Sequence, residues 1–172
     1  MPHRERNPSP PPIPPHLEAA VLHCRRLVRK RALLAAGVAA VPVPGLDWAT
    51  DVGILMRLLP QINLAFGLSE AQIERLAPER RAVVLKAVSA GGSLLIGRLI
   101  TRELVLKMLA AVGVRLSTQQ AAKFVPVAGQ AVSALLTYSA LKWVCEQHIR
   151  QCLAVAQQLQ LPAPTAPTSG PA

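Results

Sequence analysis

Residues 25–48 read RRLVRKRALLAAGVAAVPVPGLDW. Five cations, Arg25, Arg26, Arg29, Lys30 and Arg31, stand directly before ALLAAGVAAV, which is apolar all round. Val41-Pro42-Val43-Pro44-Gly45 then halts any helix, because proline has no N–H to donate and disfavours helix in the residue before it. Leu46-Asp47-Trp48 opens a second apolar segment. The unit is helix, break, helix. Upstream, LEAAVLHCRRLVRKR (17–31) carries its apolar residues three and four apart, so the first helix is expected over 16–40.

The rest of the chain repeats this grammar. A helix is expected over 46–66, kinked at Pro60 and stopped by Gly67. Ser69-x-x-Gln72 forms a capping box for a short helix reaching 76. Pro78 suits the first turn of a long helix over 78–113, weakened at Gly91-Gly92. A second box, Ser117-x-x-Gln120, precedes a short turn to Phe124, and the last helix is expected over 128–159. Just before it Val41–Gly45 is echoed as Val125-Pro126-Val127-Ala128-Gly129. Nothing alternates with a period of two and no Asn-Gly turn occurs. The expected fold is all-α: pseudo-symmetric helical hairpins in a compact bundle, hinged at Pro42, Pro44, Gly45, Pro126 and Gly129. The Pro-rich ends, 1–15 and 161–172, are expected to be disordered tails around a helical domain over 16–160.

Composition narrows the function classes. The chain has 172 residues, room for one domain. Half the residues are apolar, yet aromatics make up only 3%, so the interior must rest on Ala, Val and Leu. The mean hydropathy of +0.33 places the chain at the border between membrane-associated and soluble proteins. A net charge of +10 favours phosphate-bearing partners. Nucleic-acid binders add aromatic or polar base readers to a basic stripe; here the cations flank apolar runs instead, which disfavours nucleic acid and favours anionic membrane lipids. Spanning the bilayer takes about 20 apolar residues. The runs at 32–46, 87–97 and 124–141 are each cut short or interrupted, so interfacial hairpins or core helices fit them better. Three cysteines and no apolar leader imply a reducing, cytosol-facing setting at the membrane's cytoplasmic face.

Catalytic and metal-binding readings are weaker than their structural alternatives. Asp47 and Asp51 lie four apart, as paired carboxylates would, but the opening turn of a helix is also where acidic groups meet free N–H groups and the positive end of the helix dipole. Cys145, His148 and Cys152 share one helix face, and Cys24 or His23 could complete a zinc set. Structural zinc usually takes Cys pairs from a tight turn, which are missing, so two buried thiols and an imidazole are the plainer reading. The chain has no serine elbow, no HExxH and no Gly-rich dinucleotide loop, so no catalytic residue, metal or cofactor is assigned. Ser89, Ser93 and Gly97, and then Gly129, Ser133 and Thr137, recur four apart; on a helix each set would form a face for close helix contact.

Pro42-Val43-Pro44-Gly45-Leu46-Asp47, Phe66-Gly67-Leu68 and the second pentapeptide carry a resemblance over residues 32–151. The stretch resembles the YcjF-like bacterial helical domain of uncharacterised function, which is GTPase-associated. It is also similar to the helical hairpin region of immunity-related GTPases. The resemblance implies a membrane-associated helical module working beside a GTPase or a stress system. No phosphate-binding loop of the GxxxxGK[ST] type is present in the chain itself. The expectation is a non-enzymatic protein that meets anionic membrane through Arg25, Arg26, Arg29, Lys30 and Arg31. Packing would run through Ser89, Ser93, Gly97 and Ser133, with a GTPase or other protein, or further copies of the chain, as partners. The alternative is a soluble helical-bundle adaptor for a protein partner.

Overall fold

A computed structural model describes residues 12–39, 46–90, 95–98, 100–110 and 129–160, and no strand occurs among them. Helix α1 is Pro15–Ala39, α2 is Leu46–Ala65, α3 is Glu70–Glu74 and α4 is Pro78–Ser89. A further helix, α5, covers 102–110, and α6 is Gly129–Gln160. The all-helical class follows the sequence reading. Of the expected tail over 1–15, residues 12–15 are described and Pro15 already opens α1; its first eleven residues, the tail at 161–172, and the hinge residues Pro42, Pro44, Gly45 and Pro126 lie outside the described residues.

Three long helices make the core. Leu17, Cys24, Val28, Ala32 and Ala35 are buried along α1 at steps of three, four and seven, one face of a helix. On α2 the buried set is Val52, Leu55, Leu58, Leu59, Ile62 and Asn63. On α6 it is Leu141, Val144, Cys145, His148, Ile149, Cys152, Val155 and Ala156, an apolar seam with one imidazole in it. Burying each large aliphatic side chain contributes about 1.5–3 kcal/mol before chain entropy is counted.

Two contacts fix the directions. Arg25 pairs with Glu146 at 3.1 Å, and Gln160 Nε2 donates to His16 Nε2 at 2.6 Å. Rising numbers on α1 therefore meet falling numbers on α6, and the two helices are antiparallel. On α2, Asn63 bonds His148 of α6. Both residues lie well over half-way from the starts of their helices, and α2 begins only a short connection after α1 ends. Helix α2 thus runs with α6 and against α1.

The ends of α2 and α3 show why the sequence punctuates where it does. Gly67 takes φ +73°, the Gly67 N–H donates to Leu64 O at 3.2 Å, and the Leu68 N–H donates to Asn63 O at 2.8 Å. This is the Schellman arrangement that closes a helix with glycine. Ser69 and Gln72 form the expected capping box of α3. Pro78 opens α4 in the first turn. Pro60 lies inside α2, where the helix continues through it. Both Pro60 and Met56, whose carbonyl loses its partner there, are exposed, so water can meet the freed oxygen.

One expectation is corrected. The single helix over 78–113 is two helices, α4 and α5, with a turn at 95–98 between them. Gly97 sits at φ +68°, off the helical path. The Gly97 N–H donates to Leu68 O at 3.2 Å, and Leu95 O accepts from Asn63 Nδ2 at 2.8 Å. Backbone groups that a continuous helix would pair internally are pledged to the end of α2 instead. The helix face expected to unite Ser89, Ser93 and Gly97 therefore does not form: Ser89 ends α4, Gly97 lies in the turn, and Ser93 is outside the described residues.

Candidate functional site

Arg25, Arg26, Arg29 and Lys30 are exposed, while Arg31 is half-buried because it falls at the edge of the core stripe. Arg25 is held by Glu146, so Arg26, Arg29 and Lys30 form the cationic part of the face without that partner. Steps of three and four along a helix place Leu22, Arg26, Arg29, Lys30 and Leu33 on one outward strip. The apolar members stay uncovered: Leu33 is 58% exposed and Leu34 62%. On α6, Trp143 is also exposed, and Lys142 Nζ stands 5.8 Å over the Tyr138 ring. The spacing of Trp143 and Leu135 was readable in the sequence; their exposure was not.

Beneath this surface lies a polar cluster in the core. Asn63 Nδ2 donates to Leu95 O, which turns its Oδ1 toward α6. That oxygen can only accept, so His148 Nε2, 2.8 Å away, carries the proton and donates. Cys152 Sγ donates to the same oxygen at 3.5 Å and lies 3.6 Å from His148 Nε2. His148 is 1% exposed, and burial lowers its pKa to about 4, so the ring is neutral at pH 7. Sequence reading singled out His148 and Cys152 but not Asn63. The only signal for it was the second of two amides, after Gln61, in the apolar run LLPQINLAF.

A Cys–His–Asn trio invites a nucleophile reading, and its geometry argues against one. Cysteine catalysis needs the thiol deprotonated by a ring nitrogen free to take the proton. Here the nitrogen nearest Cys152 already holds a proton directed at Asn63, and Cys152 is fully buried. Burial raises the thiol pKa of Cys152, as it raises Cys24 to about 11 and Cys145 to about 12. Negative charge on Glu146 and Cys24 adds to the effect at Cys145, and charge on Cys24 adds to it at Cys152. All three thiols are thus protonated packing groups at the α1–α6 seam. No group of three His, Cys, Asp or Glu among the described residues is placed to hold a metal ion.

The remaining candidates are scattered. Asp51 is half-buried near the start of α2, and the side chain of Asp47 is outside the described residues, as is that of Ser133. Gly129 is the first residue of α6. The stretch Thr50–Glu74 is long and apolar enough to cross a membrane by length and composition, a property the sequence reading missed. Its helical part α2 buries Leu55, Leu58, Leu59 and Ile62 completely, which is the placement of a core helix. Compared with known proteins, the chain matches no family model, no curated protein and no solved structure.

Proposed function

We propose that this protein binds anionic membrane surfaces through the outward strip of α1. The observation that carries the reading is one folded face with Arg26, Arg29 and Lys30 between exposed Leu22, Leu33 and Leu34. Cations next to a membrane contribute about 1 kcal/mol each through the anionic leaflet, and exposed leucines add area that headgroups can cover. The net charge of +10 attracts the whole molecule to the same surface. The two VPVxG segments serve in this reading as equivalent hinges of a pseudo-symmetric pair of hairpins. A GTPase partner, implied by the family resemblance, would be recruited at the cytoplasmic face.

The reading is tested with phosphatidylcholine vesicles made with and without phosphatidylserine. The triple variant Arg26→Glu, Arg29→Glu, Lys30→Glu should keep its helicity, because the three side chains are exposed. It should lose roughly a hundredfold or more in affinity for the anionic vesicles, about 3 kcal/mol. Equal binding of parent and variant, or no binding of the parent at low salt, would refute the proposal and leave an adaptor role for the bundle.

A further inference from the structure

The antiparallel register gives the molecule two unlike ends. At one, His16 and Gln160 are bonded, so the start of α1 and the end of α6 lie together. At the other, α1 finishes and α2 and α6 begin. Measured from the Arg25–Glu146 pair, Leu33 and Leu34 lie eight and nine positions toward that second end, about 12–14 Å along the axis. Leu135 lies eleven positions before Glu146, about 16 Å in the same direction. Three leucines, each more than half exposed, therefore gather at one level near one end.

The level below them has a different chemistry. Arg29 and Lys30 on α1 lie four and five positions from Arg25, and Lys142 and Trp143 on α6 lie four and three positions from Glu146. All four are exposed. An exposed tryptophan among lysine and arginine, under an apolar cap, is the order of chemistries met on passing from headgroups into acyl chains. Asp51, the acidic side chain described near the start of α2, is half-buried. Of the other exposed leucines, Leu85 and Leu106 belong to α4 and α5, while Leu22 and Leu64 lie on the opposite side of the Arg25–Glu146 level, Leu64 because it neighbours Asn63 beside His148.

We infer that the protein meets an anionic lipid bilayer end-on, with Leu33, Leu34 and Leu135 entering the acyl region and Arg29, Lys30, Lys142 and Trp143 at the headgroups. The inference rests on the membrane reading above and confines its contact to one end of the α1 strip: the α1–α6 axis stands up from the surface, Leu22 stays clear of it, and the bonded pair His16 and Gln160 faces away. A charge belt matched to the headgroups is what commits this face to lipid over a protein partner.

Single cysteines introduced as Leu34→Cys, Leu135→Cys, Leu22→Cys and Leu64→Cys carry an environment-sensitive fluorophore; the three native thiols are buried and leave labelling to the new site. On phosphatidylserine-containing vesicles, labels at 34 and 135 should shift to the blue and be quenched by doxyl-labelled lipid, while those at 22 and 64 should not. Insertion at 22 and 34 without 135 would mean α1 lies flat, and the end-on inference falls. Binding with no label shifted would also overturn it while leaving electrostatic membrane association intact. Blue shifts at 34 and 135 that need no vesicles and grow with protein concentration would assign this end to self-association. Absence of vesicle binding altogether would remove both the inference and the reading beneath it.

Discussion

His148 shows how far one residue's environment can depart from its type. An imidazole on an apolar helix face would normally sample both protonation states near neutrality. In the fold it is neutral, donating to Asn63, with a pKa near 4 caused by burial. The unfolded chain's imidazole titrates near 6.5, so between about pH 6.5 and 4 the unfolded state binds the extra proton. The stability this group contributes is complete above pH 6.5 and is lost as pH falls toward 4, on the order of 3 kcal/mol in all. Urea unfolding at stepped pH should show this slope, and His148→Leu should flatten it while lowering stability at pH 7, since Asn63 loses a donor. An unchanged slope in the variant would place the acid sensitivity in carboxylates instead.

At the scale of elements, the turn at 95–98 decides the architecture of the middle of the chain. Gly97 is held in a left-handed conformation by its bond to Leu68, and a Cβ built there would stand 2.7 Å from Ile73 Cδ1. Gly97→Ala should therefore cost roughly 1–3 kcal/mol from strained backbone and crowding together. The Ile73→Ala change removes the crowding but not the backbone strain. The double variant should thus recover part of the interaction energy in a thermal-melt double-mutant cycle, and strict additivity would show that Ile73 yields freely. The capping box of α3 and the Schellman end of α2 flank this turn and hold α3 in place, although α3 has no buried residue of its own.

The whole molecule behaves as one core shared among distant parts of the chain. Cys24 belongs to α1 and Cys145 and Cys152 to α6, yet all three are shielded at the same seam. Thiol labelling by a neutral-pH disulfide reagent should be slow at all three and should accelerate together as urea unfolds the protein, at the midpoint seen by circular dichroism. Early release of Cys24 alone would mean α1 undocks before the rest. Docking also orients the basic strip of α1, which is outward only while Leu17, Cys24, Val28, Ala32 and Ala35 are held inward.

The sequence by itself determined the helical class, the extents of α1, α2 and α6 to within a residue or two, the α3 cap, the Gly67 stop and the cationic strip. These are local matters: periodicity, proline's missing donor, glycine's tolerance of positive φ and side chains that reach their own turn. Tertiary structure decided the break at 95–98, where Asn63 and Leu68 capture backbone groups a helix would have used. It also decided the neutrality of His148, the role of Asn63, and the gathering of Leu33, Leu34 and Leu135 at one end. Residue 135 is brought level with residue 34 only by the antiparallel register of α1 and α6, which distant contacts such as Arg25–Glu146 set and no local pattern encodes.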